Sequence, residues 1–260
     1  DCDAICIPDL STLVPVPWAD RPTAQMIVSL QEIDGTASRI DPRNILKHQI
    51  DRLADIGYFP VIACEMEFFL LSLEQDSLGR PTHTQTDRVG GRMAAGQTYG
   101  LEIMGNMSTF VHALRDAAKV QGLPLDALIK ESAPSQYEVN LQYSSNALVA
   151  ADQAVMLQRL IRGVAQSQDL LATFMAKPFG DIAGSGWAAS ADVSVLAKAA
   201  AAGVTQRSLV PLCAPFRGAC SRDDTPVQQR RRVVLAPEAW VRVEVVTAVA
   251  QGIQRAREAS

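Results

Sequence analysis

One segment constrains the fold of this chain more than any other: Tyr58 through Ser72, reading Tyr-Phe-Pro-Val-Ile-Ala-Cys-Glu-Met-Glu-Phe-Phe-Leu-Leu-Ser. Its apolar character is continuous, the pattern of a strand covered on both faces. Only Glu65 and Glu67 bring charge into it. Acids at i and i+2 point to the same face, roughly 6.5–7 Å apart along the chain. On a half-buried face they repel one another and lose solvation. A divalent cation relieves both costs, and Mg²⁺ or Mn²⁺ takes oxygen ligands at about 2.0–2.1 Å in octahedral geometry. The plainer alternative is a face open to water, with Ala63, Glu65 and Glu67 alternating outward and no site.

A second segment, Gln136–Tyr143, alternates with period two. Gln136, Glu138 and Asn140 share one face, Tyr137, Val139 and Leu141 the other, and Glu131 stands just ahead. If the two strands are neighbours in one sheet, the carboxylates of Glu65, Glu67, Glu131 and Glu138 converge. Four acids exceed what one general acid/base pair needs and suit a site with two or more cations. A glycoside hydrolase using two of them is the rival enzyme reading. It needs an aromatic sugar platform, and aromatic residues make up only 5% of the chain.

The remaining elements follow from local pattern. Residues 1–40 read as extended, with a strand at Met26–Leu30 and a turn at Asp34-Gly35. Asp41 as N-cap and Pro42 at the first helical position open a helix, with Ile45, Leu46, Ile50, Leu53 and Ile56 at helical spacing and Gly57 as the stop. Residues 73–100, rich in glycine and polar residues, read as a long functional loop or lid. Ser108 caps a helix running to about Gln121. Pro124–Lys130 reads as a short helix, Asn146–Gln168 as a long one, Leu171–Ala176 as a third strand and Lys177–Gly186 as a glycine-bearing loop. From Trp187 the texture changes, with an alanine run at 199–202 and an arginine run at 230–232. Val233–Leu235 and Val241–Val246 are candidate strands there, and Thr247–Glu258 a candidate helix.

Composition excludes several classes. Lys plus Arg number 24 against 28 Asp plus Glu, a net charge of −4 over 260 residues, which argues against a nucleic-acid binder. No stretch approaches the roughly 20 uncharged apolar residues of a membrane span. No basic segment leads into an apolar one, so no secretory signal is expected, and Asp1 in place of an initiator methionine implies that residues precede it. The five cysteines (Cys2, Cys6, Cys64, Cys213, Cys220) are odd in number and lack a CxxC pair. They indicate reduced thiols in a cytoplasmic protein rather than a disulfide framework or zinc site. His48, His83 and His112 have no metal-ligand spacing to one another.

Several short stretches stand in order along the chain: Pro8-Asp9-Leu10-Ser11-Thr12-Leu13 with Pro17-Trp18, Asp41-Pro42-Arg43-Asn44-Ile45-Leu46, and Glu65-Met66-Glu67-Phe68-Phe69-Leu70. After these come Gly96-Gln97-Thr98-Tyr99, Glu131 through Glu138, Ala151-Asp152-Gln153, and Ala172 through Phe179 leading to Gly184-Ser185-Gly186. Together, over residues 1–186, they resemble the glutamine synthetase family, and within it the γ-glutamylpolyamine synthetase-like branch. The resemblance implies an α+β fold whose antiparallel sheet forms an open half-barrel with flanking helices. It implies ATP and Mg²⁺ or Mn²⁺ as cofactors, glutamate and ammonia or an amine as substrates, and no nucleic-acid or membrane partner. ATP would phosphorylate the γ-carboxylate of glutamate, and the amine would attack the acyl phosphate. By the family pattern Glu67, Glu131 and Glu138 match ligands of the cation on the glutamate side and Glu65 a ligand of the cation on the ATP phosphates. Gly184 matches the loop that meets the amino-acid substrate. Intact relatives form homo-oligomeric rings, an implication that stops short of this chain. Residues 1–35 are expected to be the remnant of an N-terminal β-grasp domain, 36–186 the catalytic core, and 187–260 a divergent or truncated C-terminal part.

The sequence also departs from the pattern. The family continues after Gly-Ser-Gly with Met-His-x-His, where this chain has Trp187-Ala188-Ala189-Ser190. Ala188 takes the place of a metal-ligand histidine, and Ser190 of one that faces the nucleotide. Val241-Arg242-Val243-Glu244-Val245 echoes a late family strand, which would make Glu244 a further metal ligand. A decayed paralogue, a change of reading frame late in the gene, or joined fragments would each produce the abrupt change at Trp187. Two functions therefore stand at this stage: an ATP-dependent carboxylate–amine ligase, and a catalytically silent relative that keeps the scaffold and partial metal binding.

Overall fold

The computed structural model describes residues 4–85 and 97–195. The chain opens with an antiparallel hairpin, β1 (Ile5–Pro15) and β2 (Ala24–Gln31), which forms a two-stranded sheet of its own. Helix α1 (Pro42–Asp55) follows. Asp41 caps it as its sequence predicts: one carboxylate oxygen accepts from Arg43 N at 3.0 Å, and the other accepts from Leu30 N at 2.8 Å, tying the helix start to β2. Gly57 ends the helix with φ +81°.

β3 (Tyr58–Gln75) is the long strand that its apolar run demands, and it organises a six-stranded antiparallel sheet. The sheet curls into an open half-barrel with helices packed outside. β4 (Pro81–His83), β6 (Gln136–Leu141), β7 (Leu170–Thr173) and β8 (Trp187–Val195) all pair with β3, and β5 (Leu125–Lys130) pairs with β6. β6 and β8 both pair with Glu65 and Met66, so they flank β3 on opposite edges. Between β4 and β5 lie α2 (Leu101–Asn106) and α3 (Ser108–Val120). α4 (Ala147–Gln166) joins β6 to β7.

The two faces of β3 explain its unbroken apolarity. Cys64, Met66, Phe68 and Leu70 enter the main core with Tyr137, Val139 and Leu141 of β6, under Phe110 and Leu114 of α3 and Leu157, Leu160 and Ile161 of α4. Phe69 and Leu71 face the other way, against Ala133, Phe179 and Ile182. Glu65 and Glu67 share the parity of this second face, beside a small apolar floor. α4 is held by Asn146, whose side-chain oxygen accepts from Leu148 N and Val149 N. Arg43 of α1 pairs with Asp9 of β1 at 2.5 Å and Asp152 of α4 at 3.0 Å, clamping hairpin, α1 and α4 together.

The structure corrects several sequence expectations. Pro124–Lys130 forms β5, not a helix: cross-strand bonding to β6 overrides its leucine and alanine content. The expected loop from 73 is shorter, because β3 continues to Gln75 and β4 follows at Pro81; residues 86–96 lie outside the described residues. Ser108 is the first helical residue of α3 rather than its cap, with Met107 at the cap position. β7 ends at Thr173 instead of Ala176. The strand at Trp187–Val195, where the sequence texture changes, carries the sheet onward in continuous register. The candidate strands at 233–235 and 241–246, and the candidate helix at 247–258, lie outside the described residues.

Candidate functional site

The register places the acids. Glu67 pairs directly with Glu138, and Glu65 with Asn140. Paired residues on antiparallel strands share a face, so Glu65, Glu67, Glu138, Asn140 and Gln136 all lie on one surface of the sheet. Glu131 sits at the end of β5, in the bend leading to β6, where its N–H donates to Gln136 O at 3.0 Å and its carboxylate accepts from Ser132 N at 3.2 Å.

Glu138 is only 6% exposed. Burial pushes its carboxyl up to about 7; the Asn140 side-chain donor opposes this, while a hydrogen bond with Glu131 and the charges of Glu131 and Glu65 push further upward. Glu65, Glu131 and Glu138 therefore form one electrostatic group. Glu67 is held differently: its Oε2 accepts from Gln136 Nε2 at 3.0 Å and from Gly186 N at 2.9 Å.

The glycine loop is built against this carboxylate. A Cβ on Gly186 would lie 3.3 Å from Glu67 Oε1, and one on Gly184 would overlap the carbonyl oxygen of Ala176, so glycine alone fits at 184. Ser185 N donates to that same carbonyl at 2.8 Å, and Gly184 O accepts from Gln136 Nε2 at 2.8 Å. Sequence reasoning missed Gln136 as a functional candidate, although a polar residue alternating with Glu138 on an otherwise buried strand was its signal. It also missed Lys130, which is fully buried and donates from Nζ to the carbonyls of Glu131 and Ala133 at 2.6 Å each. Burial lowers the Lys130 ammonium to about 8 despite the opposing charge of Glu131. Glu244 lies outside the described residues.

The donor set is all oxygen and carboxylate-rich, the chemistry of a Mg²⁺ or Mn²⁺ site. A buried acid, Glu138, sharing a hydrogen bond with the half-buried Glu131 is an arrangement that a divalent charge relieves. Among the described residues no three His, Cys, Asp or Glu side chains are gathered as closely as a metal cage requires. Glu65, Glu67 and Glu138 line one face with Glu131 in the adjoining bend, and a bound cation would be held by drawing these carboxylates together.

Comparison with known proteins agrees with this architecture. The family described as "Glutamine synthetase, catalytic domain" matches residues 39–203, more than half of the chain, and the protein belongs to this family. It is 33% identical over 184 residues to γ-glutamylputrescine synthetase PuuA of Escherichia coli (strain K12), covering 71% of this chain and 39% of that protein. It is 34% identical over 183 residues to a glutamate–isopropylamine ligase of Pseudomonas sp, covering 70% and 39%. The chain thus spans about two-fifths of the curated relatives it matches. Among solved structures, a "novel glutamine synthase homolog" aligns with TM-score 0.63 at 26% identity, covering 75% of this chain and 42% of that one. An ADP complex of GmaS aligns with TM-score 0.64 at 25% identity, covering 76% and 43%.

Proposed function

We propose that this chain carries the cation and glutamate side of an ATP-dependent ligase joining the γ-carboxylate of glutamate to ammonia or an amine through an acyl phosphate. The observation that carries the reading is the register that puts Glu65, Glu67 and Glu138 on one sheet face, with Glu131 in the adjoining bend hydrogen-bonded to Glu138. Family membership and the names of the two ligase relatives support it.

In this reading Glu131 and Glu138, with Glu67 beside them, hold a Mg²⁺ or Mn²⁺ on the glutamate side, and Glu65 faces the cation on the ATP phosphates. Bound there, the cations would neutralise charge on the moving phosphoryl group. The chain's own contribution is placement. β3 and β6 fix the acids in register, Phe69 and Phe179 pack beneath them, and Gly186 N holds the Gly184–Gly186 loop, where the family pattern puts the amino-acid substrate, against Glu67. Residues 36–186 are assigned to the catalytic core and 1–35, with their separate hairpin, to the end of a preceding domain; 187–260 are assigned to a divergent C-terminal part. The assignment to the cytoplasm rests on the cysteine pattern. No helix among the described residues is long and apolar enough to cross a membrane. A homo-oligomer is proposed for intact relatives only.

A specific observation favours the second reading, a silent relative. Ala188 occupies the register position beside Glu65, and Ser190 the one beside Ala63, where the family pattern has histidines. Amine-dependent ADP release from ATP plus glutamate separates the two. Turnover abolished by Glu67→Ala supports the ligase, whereas Mn²⁺ binding without turnover supports the silent relative.

A further inference from the structure

We infer that Gln136 is the positioning residue that locks Glu67 and the Gly184–Gly186 loop into one unit, so that the cation side and the amino-acid side of the site move together. The inference deepens the proposed function and rests on it for the identity of the two ligands.

Gln136 is 1% exposed and sits at the start of β6. Its amide is used at both ends. Oε1 accepts from Ala133 N at 3.1 Å, inside the bend that carries Glu131. Nε2 donates to Glu67 Oε2 at 3.0 Å on β3 and to Gly184 O at 2.8 Å in the loop. Gly186 N then closes the circuit by donating to the same Glu67 oxygen at 2.9 Å. One side chain therefore bridges three separate chain segments, each of which carries a candidate ligand-binding group. An amide suits this role because it donates and accepts at once without adding charge. A glutamate would repel Glu67, and an apolar side chain would remove the donor to Gly184 O and Glu67 Oε2 and the acceptor of Ala133 N.

Partners that orient a metal-binding carboxylate typically matter 10–100-fold in metal affinity. In the full chain, Gln136→Met and the shorter amide Gln136→Asn are expected to weaken Mn²⁺ binding by about that factor, read by water-proton relaxation. Backbone exchange at Gly186 should quicken, read by hydrogen exchange, because its acceptor is no longer fixed. Adding Gln136→Met to Glu67→Ala should weaken Mn²⁺ much less than Gln136→Met does in the parent, since most of the effect runs through that carboxylate and the rest through the bend that carries Glu131. Where L-glutamate binding is tightened by Mn²⁺ in the parent, the variants should lose this coupling. Folded variants with parental Mn²⁺ affinity and parental Gly186 protection would overturn the inference. So would unfolding of both variants, which would make Gln136 a purely structural residue. If the parent binds no Mn²⁺, the cation reading fails by itself, and unchanged exchange at Gly186 then overturns the positioning role separately.

Discussion

Lys130 offers a quantitative test of the interior beneath the acids. Its side chain is fully buried, and its ammonium is lowered from the ordinary 10.5 to about 8, chiefly by burial. Between these values the unfolded chain holds a proton that the folded chain has released, so stability rises with pH across that window. At about 1.4 kcal/mol per pH unit, the full span corresponds to roughly 3 kcal/mol. Cys64 acts in the opposite sense. Burial, then the charge of Glu65, raises its thiol from 9.0 to about 11, so the folded chain keeps a proton that the unfolded chain loses, and stability falls with pH between those values. The parent's own curve is therefore flattened above pH 9. The difference between parent and Lys130→Met removes every shared group. That gap should shift in the parent's favour by about 2 kcal/mol from pH 8 to pH 10. Losing the donor also leaves the Glu131 and Ala133 carbonyls without their partner, at about 1–3 kcal/mol each, but that cost is independent of pH. Urea unfolding followed by circular dichroism in EDTA, at half-unit steps of pH, reads the gap directly. Parallel stability curves from pH 8 to 10 would refute the argument, because a buried ammonium with a depressed proton affinity cannot leave the slope unchanged.

Three further outcomes follow from other contacts. Glu138→Gln replaces a carboxyl whose pKa the fold raises from 4.5 to about 7, a shift that costs the folded chain stability at pH 7, so the variant should resist urea better by up to about 3 kcal/mol at pH 7 and lose this advantage towards pH 4, while thermal stabilisation by Mn²⁺ should largely disappear; equal stabilisation of both proteins would remove Glu138 from the cation site. Gly163→Ala places a methyl group inside the Trp18 indole and should cost about 1–3 kcal/mol in urea unfolding, with Trp18→Leu restoring most of it; an unaffected single variant would show that the hairpin does not dock on α4 in this way. Arg43→Met leaves Asp9 and the more enclosed Asp152 without their shared cation, an expected loss of about 2–4 kcal/mol, and Asp152→Asn on that background should recover part of it in the same assay.

Much of this arrangement is legible in the amino-acid order, for identifiable reasons. The length and double-sided burial of β3 follow from its apolar run, and the shared face of Glu65, Glu67 and Glu138 follows from period-two geometry once β3 and β6 are neighbours. α1 is legible because Asp41, Pro42 and Gly57 mark both ends. β5 is not, since Leu125–Lys130 carries residues that suit a helix, and only its pairing with β6 makes it a strand. Gln136 and Lys130 escaped notice because a buried amide or ammonium is defined by partners far along the chain or in a bend that local pattern does not describe. The β8 strand escaped because its register with β3 is a long-range property.

That register divides the acids into two groups with different supports. Glu131 and Glu138 depend on β5, β6 and the bend between them, where the run from Glu131 to Glu138 carries the family resemblance. Glu65 is flanked by Asn140 on one edge and by the position of Ala188 on the other, so the surroundings of Glu65 are the part altered by the substitution at 188. A methyl group supplies no donor atom, whereas imidazole nitrogen is a good ligand for Mn²⁺-type ions. On the proposed reading, Ala188→His should add a second, distinguishable Mn²⁺ equivalent while leaving the affinity of the first, on Glu131 and Glu138, within about twofold. Titration followed by electron paramagnetic resonance counts the equivalents. Unchanged stoichiometry would mean that β8 does not bring residue 188 to the acid face, and a shift in the first equivalent instead would mean that the acids form one site rather than two.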